Sequence, residues 1–346
     1  MKVRVLAASA RFSAGFSTAY AGLVARPLLL LSLEGVDGAL GFGEAAPLEP
    51  YDGVSIDHVR AALEDCTSVL EASDGSDHAD VLAACRELAV LPQAVAAIDL
   101  AMWDLAGRRA QQPVWRLLGA GDPEAVDVNW TIGATDRAGA ASEAARARAA
   151  GFRCVKVKVG VGDDAGRLAA VRAAGGPELA IRIDANSCWS AAEATAALRV
   201  LSPVGLELCE EPASGVEEIR RVFETGDVAI AIDETAATPG ALERRCCDAV
   251  CLKIARCGGI SGVIEQAATA RQAGYDVYLA STFDGPLGIA AALHAAAVLK
   301  PRRACGLATL GLFDGPVDPL PVRDGRIELP DSPGLGDGLA AWYGGT

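Results

Sequence analysis

Six charged side chains recur at intervals that would bring them together in one chemical site. Two of them, Lys156 and Lys158, lie in the stretch "CVKVKVG", where the other residues are apolar or small. Alternate side chains of a β-strand share a face, so both lysines point the same way, opposite a row of valines. An ammonium group buried without a partner is unfavourable, so these two need water, a counter-charge or a substrate.

Counter-charges follow at the ends of later apolar runs. They are Asp184 in "RIDAN", Glu210 in "LCEEP" and Asp233 in "AIDET", and Lys253 follows in "CLKIA". Three converging carboxylates repel one another unless a cation lies between them, and oxygen ligands suit Mg²⁺. The simpler alternatives are that each carboxylate caps the next helix and that the lysines form ordinary salt bridges. The alternation does not choose between Glu210 and Glu211 as the carboxylate that faces the lysines.

The chemistry available to such a site is proton transfer at carbon. A lysine beside another cation and near Mg²⁺ is expected to have a depressed pKa, which makes a neutral amine accessible near neutral pH. That amine can abstract the proton from a carbon next to a carboxylate, while the ion holds the resulting enediolate. We therefore expect one divalent ion per site and a small carboxylate as the substrate.

The elements that must position these residues form a repeated pattern. From about residue 126, eight short apolar runs alternate with alanine-rich helical segments, which predicts an α/β fold with a (β/α) barrel of the modified TIM type over 123–310. The catalytic residues of such barrels lie at the carboxyl ends of the strands. The alternative, a doubly wound sheet, would usually carry a glycine fingerprint after its first strand, and none is visible.

The flanking segments have a different character. Residues 1–122 begin with strand-like runs, continue with helical segments and end in a long helix, which predicts an α+β capping domain. Residues 311–346 are rich in Gly, Pro and Asp, and we expect this segment to return to the capping domain.

Composition excludes several classes of function. The chain has 346 residues and a formal net charge of −14, with no basic run, so a nucleic-acid partner is not expected. Its apolar stretches are too short to span a bilayer. The ten cysteines show no metal-type spacing and read as reduced core residues of a cytoplasmic protein. The three histidines, His58, His78 and His294, do not end barrel strands, which disfavours a histidine base.

The motifs resemble those of the enolase superfamily, specifically its muconate-lactonizing-enzyme subgroup, along nearly the whole chain. "GFGEAAPL" and "AIDLAMWDLAGRRAQQPVWRLLG" are similar to the capping domain, and "GFRCVKVKVG", "RIDANSCWS", "ELCEEP", "AIDET" and "AVCLKIARCGG" are similar to successive barrel motifs. The resemblance implies a lysine base that works with Mg²⁺. It also implies a small carboxylate substrate and a homo-oligomer.

The resemblance also implies individual roles. The Mg²⁺ ligands would be Asp184, Glu210 and Asp233, so the first glutamate of "EEP" would be the ligand. Lys158 would be the base, Lys156 would tune it, and Lys253 would face the other side of the substrate. Asn186 and Glu234 would support these groups from behind. Substrate contacts are expected from Phe16 and Tyr51 of the capping domain and from Ser281, Thr282 and Asp284 of the barrel.

The reactions of this subgroup begin with the same proton abstraction. Its dipeptide epimerases usually carry an Asp-x-Asp on the last strand to hold the peptide amine, whereas the region here reads "ACGLATLGLFD". "GLATLGLF" is similar to o-succinylbenzoate synthases, so dehydration of that type is the first expectation. The alternatives are a racemase or epimerase of N-acyl amino acids or dipeptides, and a muconate-type cycloisomerase. Outside the family, a metal-free lyase that forms a Schiff base and a protein that only binds its ligand remain competing classes.

Overall fold

The computed structural model describes residues 1–17, 22–315 and 317–345, and it describes side chains outside 14–23 and Gly345. Three antiparallel strands open the chain, namely β1 (Lys2–Ser17), β2 (Gly22–Glu34) and β3 (Leu40–Ala45). The run "PLLLLSLE" in β2 is apolar on both faces because both faces are covered. Leu28 and Leu30 pack on the barrel side, while Leu29, Leu31 and Leu33 pack under the helices of the capping domain.

Helices cover the outer face of this sheet. They are α1 (Glu49–Asp52), α2 (Ile56–Asp65), α3 (Thr67–Ala72), α4 (His78–Leu88), α5 (Pro92–Ala110) and α6 (Val114–Leu117). Side chains that accept from backbone N–H groups start two of them, Ser55 before α2 and Asp77 before α4. A Cβ on Gly43 would collide with the Ala97 carbonyl, so β3 lies against α5 more closely than any other residue would allow.

Seven parallel strands form the sheet of the second unit. After a two-residue strand, β4 (Val126–Asp127), they are β5 (Trp130–Ile132), β6 (Cys154–Lys158), β7 (Ala180–Asp184), β8 (Leu206–Glu210), β9 (Ile230–Ile232), β10 (Ala249–Leu252) and β11 (Asp276–Leu279), in this spatial order. The eighth predicted run closes the ring, because Cys305 bridges Val128 at one edge and Gly306 bridges Ala280 at the other. The predicted barrel with an α+β cap is confirmed.

Helices alternate with these strands along the chain. They are α7 (Arg137–Ala149), α8 (Asp164–Gly175), α9 (Ala191–Leu201), α10 (Val216–Phe223), α11 (Ile254–Cys257), α12 (Gly259–Gln272) and α13 (Pro286–Leu299), with 3₁₀ turns at Ser202–Val204 and Glu234–Ala237. The best-defined start is that of α9, where Ser190 and Glu193 form a reciprocal capping box. No described helix is long and apolar enough to cross a membrane.

The register of the strands aligns the charged side chains in layers. Lys158 lies opposite Asp184, which lies opposite Glu210, and one layer below Lys156 lies opposite Arg182. An irregularity at the start of β8 shifts its register by one residue, which accounts for the break in alternation seen in this strand's sequence. The aliphatic rows of the neighbouring strands, such as Ile181 and Ile183, are fully buried on the opposite face.

The last segment of the chain touches both units. The short strand β12 (Phe313–Asp314) pairs with β1, and a hairpin of β13 (Val322–Arg323) and β14 (Arg326–Ile327) pairs with β4. Two 3₁₀ turns, Leu310–Leu312 and Leu339–Gly345, flank these strands. The boundaries expected at 122 and 310 remain predictions.

Candidate active site

Three carboxylates lie at the carboxyl ends of three neighbouring barrel strands. Asp184 ends β7, Glu210 ends β8, and Asp233 follows β9. All three are buried, with at most 5% of each residue exposed. Three buried carboxylates at neighbouring strand ends require positive charge nearby, because each repels the other two.

Lysines from the flanking strands supply that charge. Lys158 Nζ lies 2.7 Å from Asp184 Oδ2, and Lys253 Nζ lies 2.5 Å from Asp233 Oδ2. Lys156 Nζ is 3.0 Å from both Asp184 Oδ2 and Glu210 Oε1, so it bridges two acids. The structure thus brings the three predicted lysines and the three predicted carboxylates into one contiguous cluster.

The electrostatics of two lysines differ from the sequence expectation. Burial lowers the pKa of Lys156, but Asp184 and Glu210 outweigh it and bring that pKa above its usual value. Burial likewise lowers the pKa of Lys253, and the carboxylate of Asp233 more than reverses this effect. The expected depression depends on a neighbouring metal cation, whereas here the nearest partners of each ammonium are carboxylates.

Glu210 and Glu211 have different partners, although the sequence did not separate them. Glu210 faces Lys156, whereas Glu211, with φ of 44°, turns away and accepts from the backbone N–H groups of Asp233 at 2.6 Å and Thr235 at 3.0 Å. Burial raises the pKa of Glu211 to about 8. Glu211 therefore stabilises the loop that carries Asp233.

The donor set fits a hard divalent cation. Glu210, Asp233 and Cys251 each offer one atom, all within 4.8 Å of one another, and Lys156 links Asp184 to the same group. Burial raises the pKa of the Cys251 thiol well above its usual value, so the thiolate that a soft metal would require is disfavoured. The remaining donors are carboxylate oxygens, the ligands that Mg²⁺ prefers.

Asn186 and Glu234, which were expected to support the cluster, form a chain of hydrogen bonds that starts at Lys158. Lys158 Nζ donates to Asn186 Oδ1 at 2.5 Å, and Asn186 Nδ2 donates to Glu234 Oε1 at 3.1 Å. Asn186 has φ of 44°, a left-handed conformation that asparagine tolerates better than most residues. Its backbone N–H also donates to Asp184 Oδ1 at 3.1 Å, so the turn is tied to the cluster twice.

A tyrosine from the capping domain reaches the barrel rim. The Tyr51 hydroxyl donates to Asp233 Oδ1 at 2.8 Å and accepts from Lys253 Nζ at 2.8 Å. Arg256, which the sequence analysis missed, donates to the same hydroxyl at 2.7 Å. Burial raises the pKa of Tyr51, so the phenol stays protonated. The side chain of Phe16, the other expected capping-domain contact, lies outside the described residues.

The expected contacts after β11 occupy two environments. Ser281 Oγ lies 2.9 Å from Thr309 Oγ1, and both residues are partly exposed at the strand ends. Thr282 and Asp284 are buried, and Thr282 Oγ1 donates to Asp284 Oδ1 at 2.6 Å. Asp284 also lies near Glu44 of the capping domain, another residue that the sequence analysis missed. The substrate-binding roles of Ser281, Thr282 and Asp284 remain predictions.

Comparison with known families decides which protein family this is. The family profile "Mandelate racemase / muconate lactonizing enzyme, N-terminal domain" matches residues 1–119, and "Enolase C-terminal domain-like" matches residues 139–340. The chain belongs to the enolase superfamily. Relatives place it in the muconate-lactonizing-enzyme subgroup, as the sequence motifs predicted, and it is therefore an enzyme of the lyase or isomerase type.

Individual relatives of this superfamily member are isomerases. The chain is 31% identical over 343 residues to muconate cycloisomerase 1 of Rhodococcus opacus, covering 92% of each chain. It is 26% identical over 332 residues to the N-succinyl-L-Arg/Lys racemase of Bacillus cereus, covering 93% of this chain and 90% of the relative. These names support the alternative isomerase reactions better than the o-succinylbenzoate synthase that was expected first.

A solved structure gives the same picture of the fold. The dipeptide epimerase of Enterococcus faecalis V583, complexed with Mg and the dipeptide L-Leu-L-Tyr, superposes with a TM-score of 0.89 at 25% identity, covering 97% of this chain and 98% of the other. A protein with this architecture has therefore been solved in complex with both Mg and a dipeptide.

Proposed function

We propose that this enzyme is a Mg²⁺-dependent racemase or epimerase that inverts the α-carbon of an N-acylated amino acid. One observation carries the proposal, namely the arrangement of two lysines around the three acids. In the order of the sheet, Lys158 ends β6 and Lys253 follows β10, while the acids end the three strands between them. A substrate held over the acids would have one lysine on each side.

The acids and lysines then have separate tasks. Asp184, Glu210 and Asp233 would hold the ion, which when bound supplies positive charge against the substrate carboxylate as the α-proton leaves. Lys158 in its neutral form takes that proton from one face, and the C–H electron pair moves into the carboxylate. Lys253, as an ammonium, returns a proton to the opposite face. The substrate leaves with inverted configuration, and the two lysines have exchanged protonation states.

The side chains that follow the last two strands of the barrel help to indicate the class of substrate. A free amino group of a dipeptide would be an ammonium, which needs a counter-charge in a closed site. The partly exposed side chains at this position include the hydroxyls of Ser281 and Thr309, with Ala308 beside them, whereas the carboxyl group of Asp284 is buried. Hydroxyls suit the neutral oxygen and N–H of an acylated amine. This composition favours N-acyl amino acids over dipeptides with a free amine.

A cycloisomerase is the second candidate because of the 31% identity to muconate cycloisomerase 1. That reaction requires a proton to be handled on one side of the substrate, so a second lysine would have no obligatory role. The contribution of Lys253 therefore separates the two candidates.

The test is exchange of the α-proton in D₂O with Mg²⁺, followed by NMR, on both enantiomers of N-acetyl and N-succinyl amino acids, on dipeptides and on muconolactone. For the wild type we expect exchange and inversion of N-acyl substrates. Lys158→Ala should abolish exchange of one enantiomer and Lys253→Ala that of the other, and neither variant should invert. Loss of a general acid or base typically lowers the rate about 10²–10⁴-fold.

A matched control is Lys2→Ala, because Lys2 lies on the surface with 70% of its side chain exposed. This variant should behave as the wild type. Inversion that survives in Lys253→Ala would exclude the two-base mechanism. Turnover of muconolactone alone would establish the cycloisomerase, and activity that survives both EDTA and Lys158→Ala would exclude the whole scheme.

A further inference from the structure

A buried tyrosine beneath the cluster donates a hydrogen bond to one of its carboxylates. Tyr278 belongs to β11, is 1% exposed, and donates its hydroxyl to Glu210 Oε2 at 2.7 Å across the barrel. The other oxygen of the same group, Oε1, lies 3.0 Å from Lys156 Nζ on the side of the cluster. The two oxygens of Glu210 are therefore in different environments, and one already has a neutral hydrogen-bond donor.

The tyrosine cannot easily turn away from this position. The guanidinium of Arg182 lies 4.9 Å from the centre of the Tyr278 ring. Arg182 is itself held by Glu207, at 2.7 Å through Nε and 3.2 Å through Nη2, and by the Ala304 carbonyl at 2.6 Å. This floor of the barrel fixes the ring, and the ring fixes the direction of its O–H bond.

The occupied oxygen matters for the choice of cation. Mg²⁺ requires a nearly octahedral set of ligands at short distances, in which each carboxylate gives one oxygen, whereas Ca²⁺ accepts more ligands and takes carboxylates through both oxygens. A carboxylate whose second oxygen accepts a hydrogen bond from a fixed phenol is poorly suited to bind through both. The same bond does not hinder binding through Oε1.

We propose that Tyr278 is a positioning residue that keeps Glu210 to one ligand oxygen and so favours Mg²⁺ over Ca²⁺ at this site. The inference rests on the proposed role of Glu210 as a metal ligand. It concerns the selectivity of the site rather than the identity of its ion, and it assigns a role to a residue that neither touches the substrate nor binds the metal.

Tyr51 is not equivalent, although it also donates to one of the acids. Its hydroxyl is shared with Lys253 and Arg256, so it belongs to a network of charges. Among the described residues, the Tyr278 hydroxyl forms one hydrogen bond, which it donates to Glu210 from the barrel interior. The effect of removing this hydroxyl is therefore easier to interpret.

The experiment measures the dissociation constants of Mg²⁺ and Ca²⁺ by isothermal titration calorimetry, without substrate. Tyr278→Phe should shift the ratio of the two constants toward Ca²⁺ by about tenfold, the scale typical of groups that orient metal ligands. The matched control is Tyr275→Phe, because Tyr275 is buried three residues away and donates to the Ala241 carbonyl at 2.7 Å, remote from the acids. Its ratio should equal that of the wild type.

The outcomes separate this inference from the proposed function. An unchanged ratio in a folded Tyr278→Phe protein, judged by circular dichroism, overturns the role of Tyr278. The wild type offers a second test that needs no variant, because equal binding of Ca²⁺ and Mg²⁺ would also overturn it. Mg²⁺ binding that is undiminished in Glu210→Gln would overturn the ligand assignment, and the inference would fall with it.

Discussion

Two sets of buried carboxyl groups lie where the capping domain meets the barrel, and they are neutralised in different ways. The first set, here called the rim acids, consists of Asp184, Glu210 and Asp233. The second, the interface acids, consists of Glu44 and Asp284, which come from the capping domain and from the loop after β11. At most 5% of any of the five residues is exposed.

Two of the rim acids, Asp184 and Asp233, are kept ionised by neighbouring lysines. Burial alone would raise the pKa of Asp184, but the ammonium groups of Lys156 and Lys158 hold it well below its usual range. Burial acts in the same way on Asp233, and Lys253 reverses it. Carboxylates kept in this state are ready to exchange an ammonium neighbour for a metal cation.

Arg26 and, for Asp284, also Lys253 are the positive charges that act on the interface acids. Arg26 donates to the backbone carbonyls of Thr282, Ala46 and Pro47, so in the described part of the chain it acts on the two carboxyl groups through its charge and not through a hydrogen bond. A Cβ on Gly288 would lie 2.8 Å from Glu44 Oε1 and 3.2 Å from Asp284 Cγ, so the acids face the same small space. Burial, and then the charge of Asp284, raise the pKa of Glu44 to about 8.

The difference separates two uses of a buried acid. Where charge is needed, lysines from neighbouring strands lie within hydrogen-bond distance of each carboxylate. Between the two domains, burial and the charge of Asp284 raise the pKa of Glu44 to about 8, so this carboxyl group keeps its proton at neutral pH. Removal of a single carboxylate should therefore cost much more stability among the rim acids than among the interface acids.

The largest effect is expected for Asp233→Asn. Lys253 would then be a buried ammonium without its carboxylate, and breaking a buried ion pair from one side costs about 3–5 kcal/mol of unfolding free energy. Metal-dependent activity should fall with it. Urea denaturation at neutral pH measures the first effect, with Asp284→Asn as the matched variant in the other set, for which we expect little or no loss.

A double variant tests the reason for this effect. Asp233→Asn combined with Lys253→Met removes both charges, so most of the lost stability should return while activity does not. If the double variant is no more stable than Asp233→Asn, the unpaired ammonium is not the cause, and the contrast between the two sets loses its physical basis.

The second prediction concerns the interface acids and the pH range from about 4.5 to 8. Because the folded-state pKa of Glu44 is raised, its protonated form stabilises the fold fully below about pH 4.5, and that contribution is lost as pH rises toward about 8. The total is on the order of 3 kcal/mol, at about 1.4 kcal/mol per pKa unit with an allowance for rearrangement.

Asp284→Asn sharpens this prediction, because it removes the neighbouring charge and keeps the shape of the side chain. The slope of unfolding free energy against pH between about 5 and 8 should become smaller in this variant. Urea midpoints across that range measure it. An unchanged slope would mean that the charge of Asp284 does not raise the pKa of Glu44.

How much of the site was predictable differs between the two sets. The rim lysines and acids follow from local rules, since the period of two in a strand and the position at a strand end are visible in "CVKVKVG" and "RIDAN". The structure brings these residues together as expected. Glu210 and Glu211 were not separable, because the register shift breaks the alternation in β8 and the positive φ of Glu211 cannot be read from the sequence.

The interface acids show what local patterns cannot predict. Glu44 lies in "GFGEAAP" and Asp284 in "STFDGP", some 240 positions apart, and each reads as an isolated polar residue near a turn. Their proximity depends on how the capping sheet packs on the barrel. The same holds for Tyr51 and Arg256, which meet across the domain border. Tyr278 did leave a signal, because it is an aromatic residue in a row of inward side chains that are otherwise small or charged.

The smallest predicted effect appears below about pH 6.5 and belongs to a buried histidine. His294 is fully buried, and its Nδ1 accepts from the Trp115 backbone N–H at 3.1 Å. Its other nitrogen, 3.1 Å from the Leu335 carbonyl, therefore carries the proton. Burial lowers the pKa of His294 to about 4. A second proton would have to bind at Nδ1, where it would face the Trp115 backbone N–H that now donates to this nitrogen.

The sign of this effect is opposite to that of Glu44. The neutral imidazole stabilises the fold fully above about pH 6.5, and the contribution, on the order of 2 kcal/mol, is lost as pH falls toward about 4. His294→Gln should change the stability profile below about pH 6.5 and leave the range from about 6.5 to 8 unchanged, whereas Asp284→Asn should change that upper range. His58→Gln, at an exposed position, serves as the control. If His294→Gln instead alters the profile between about pH 6.5 and 8, the two effects are coupled, and the assignment of that range to Glu44 and Asp284 fails.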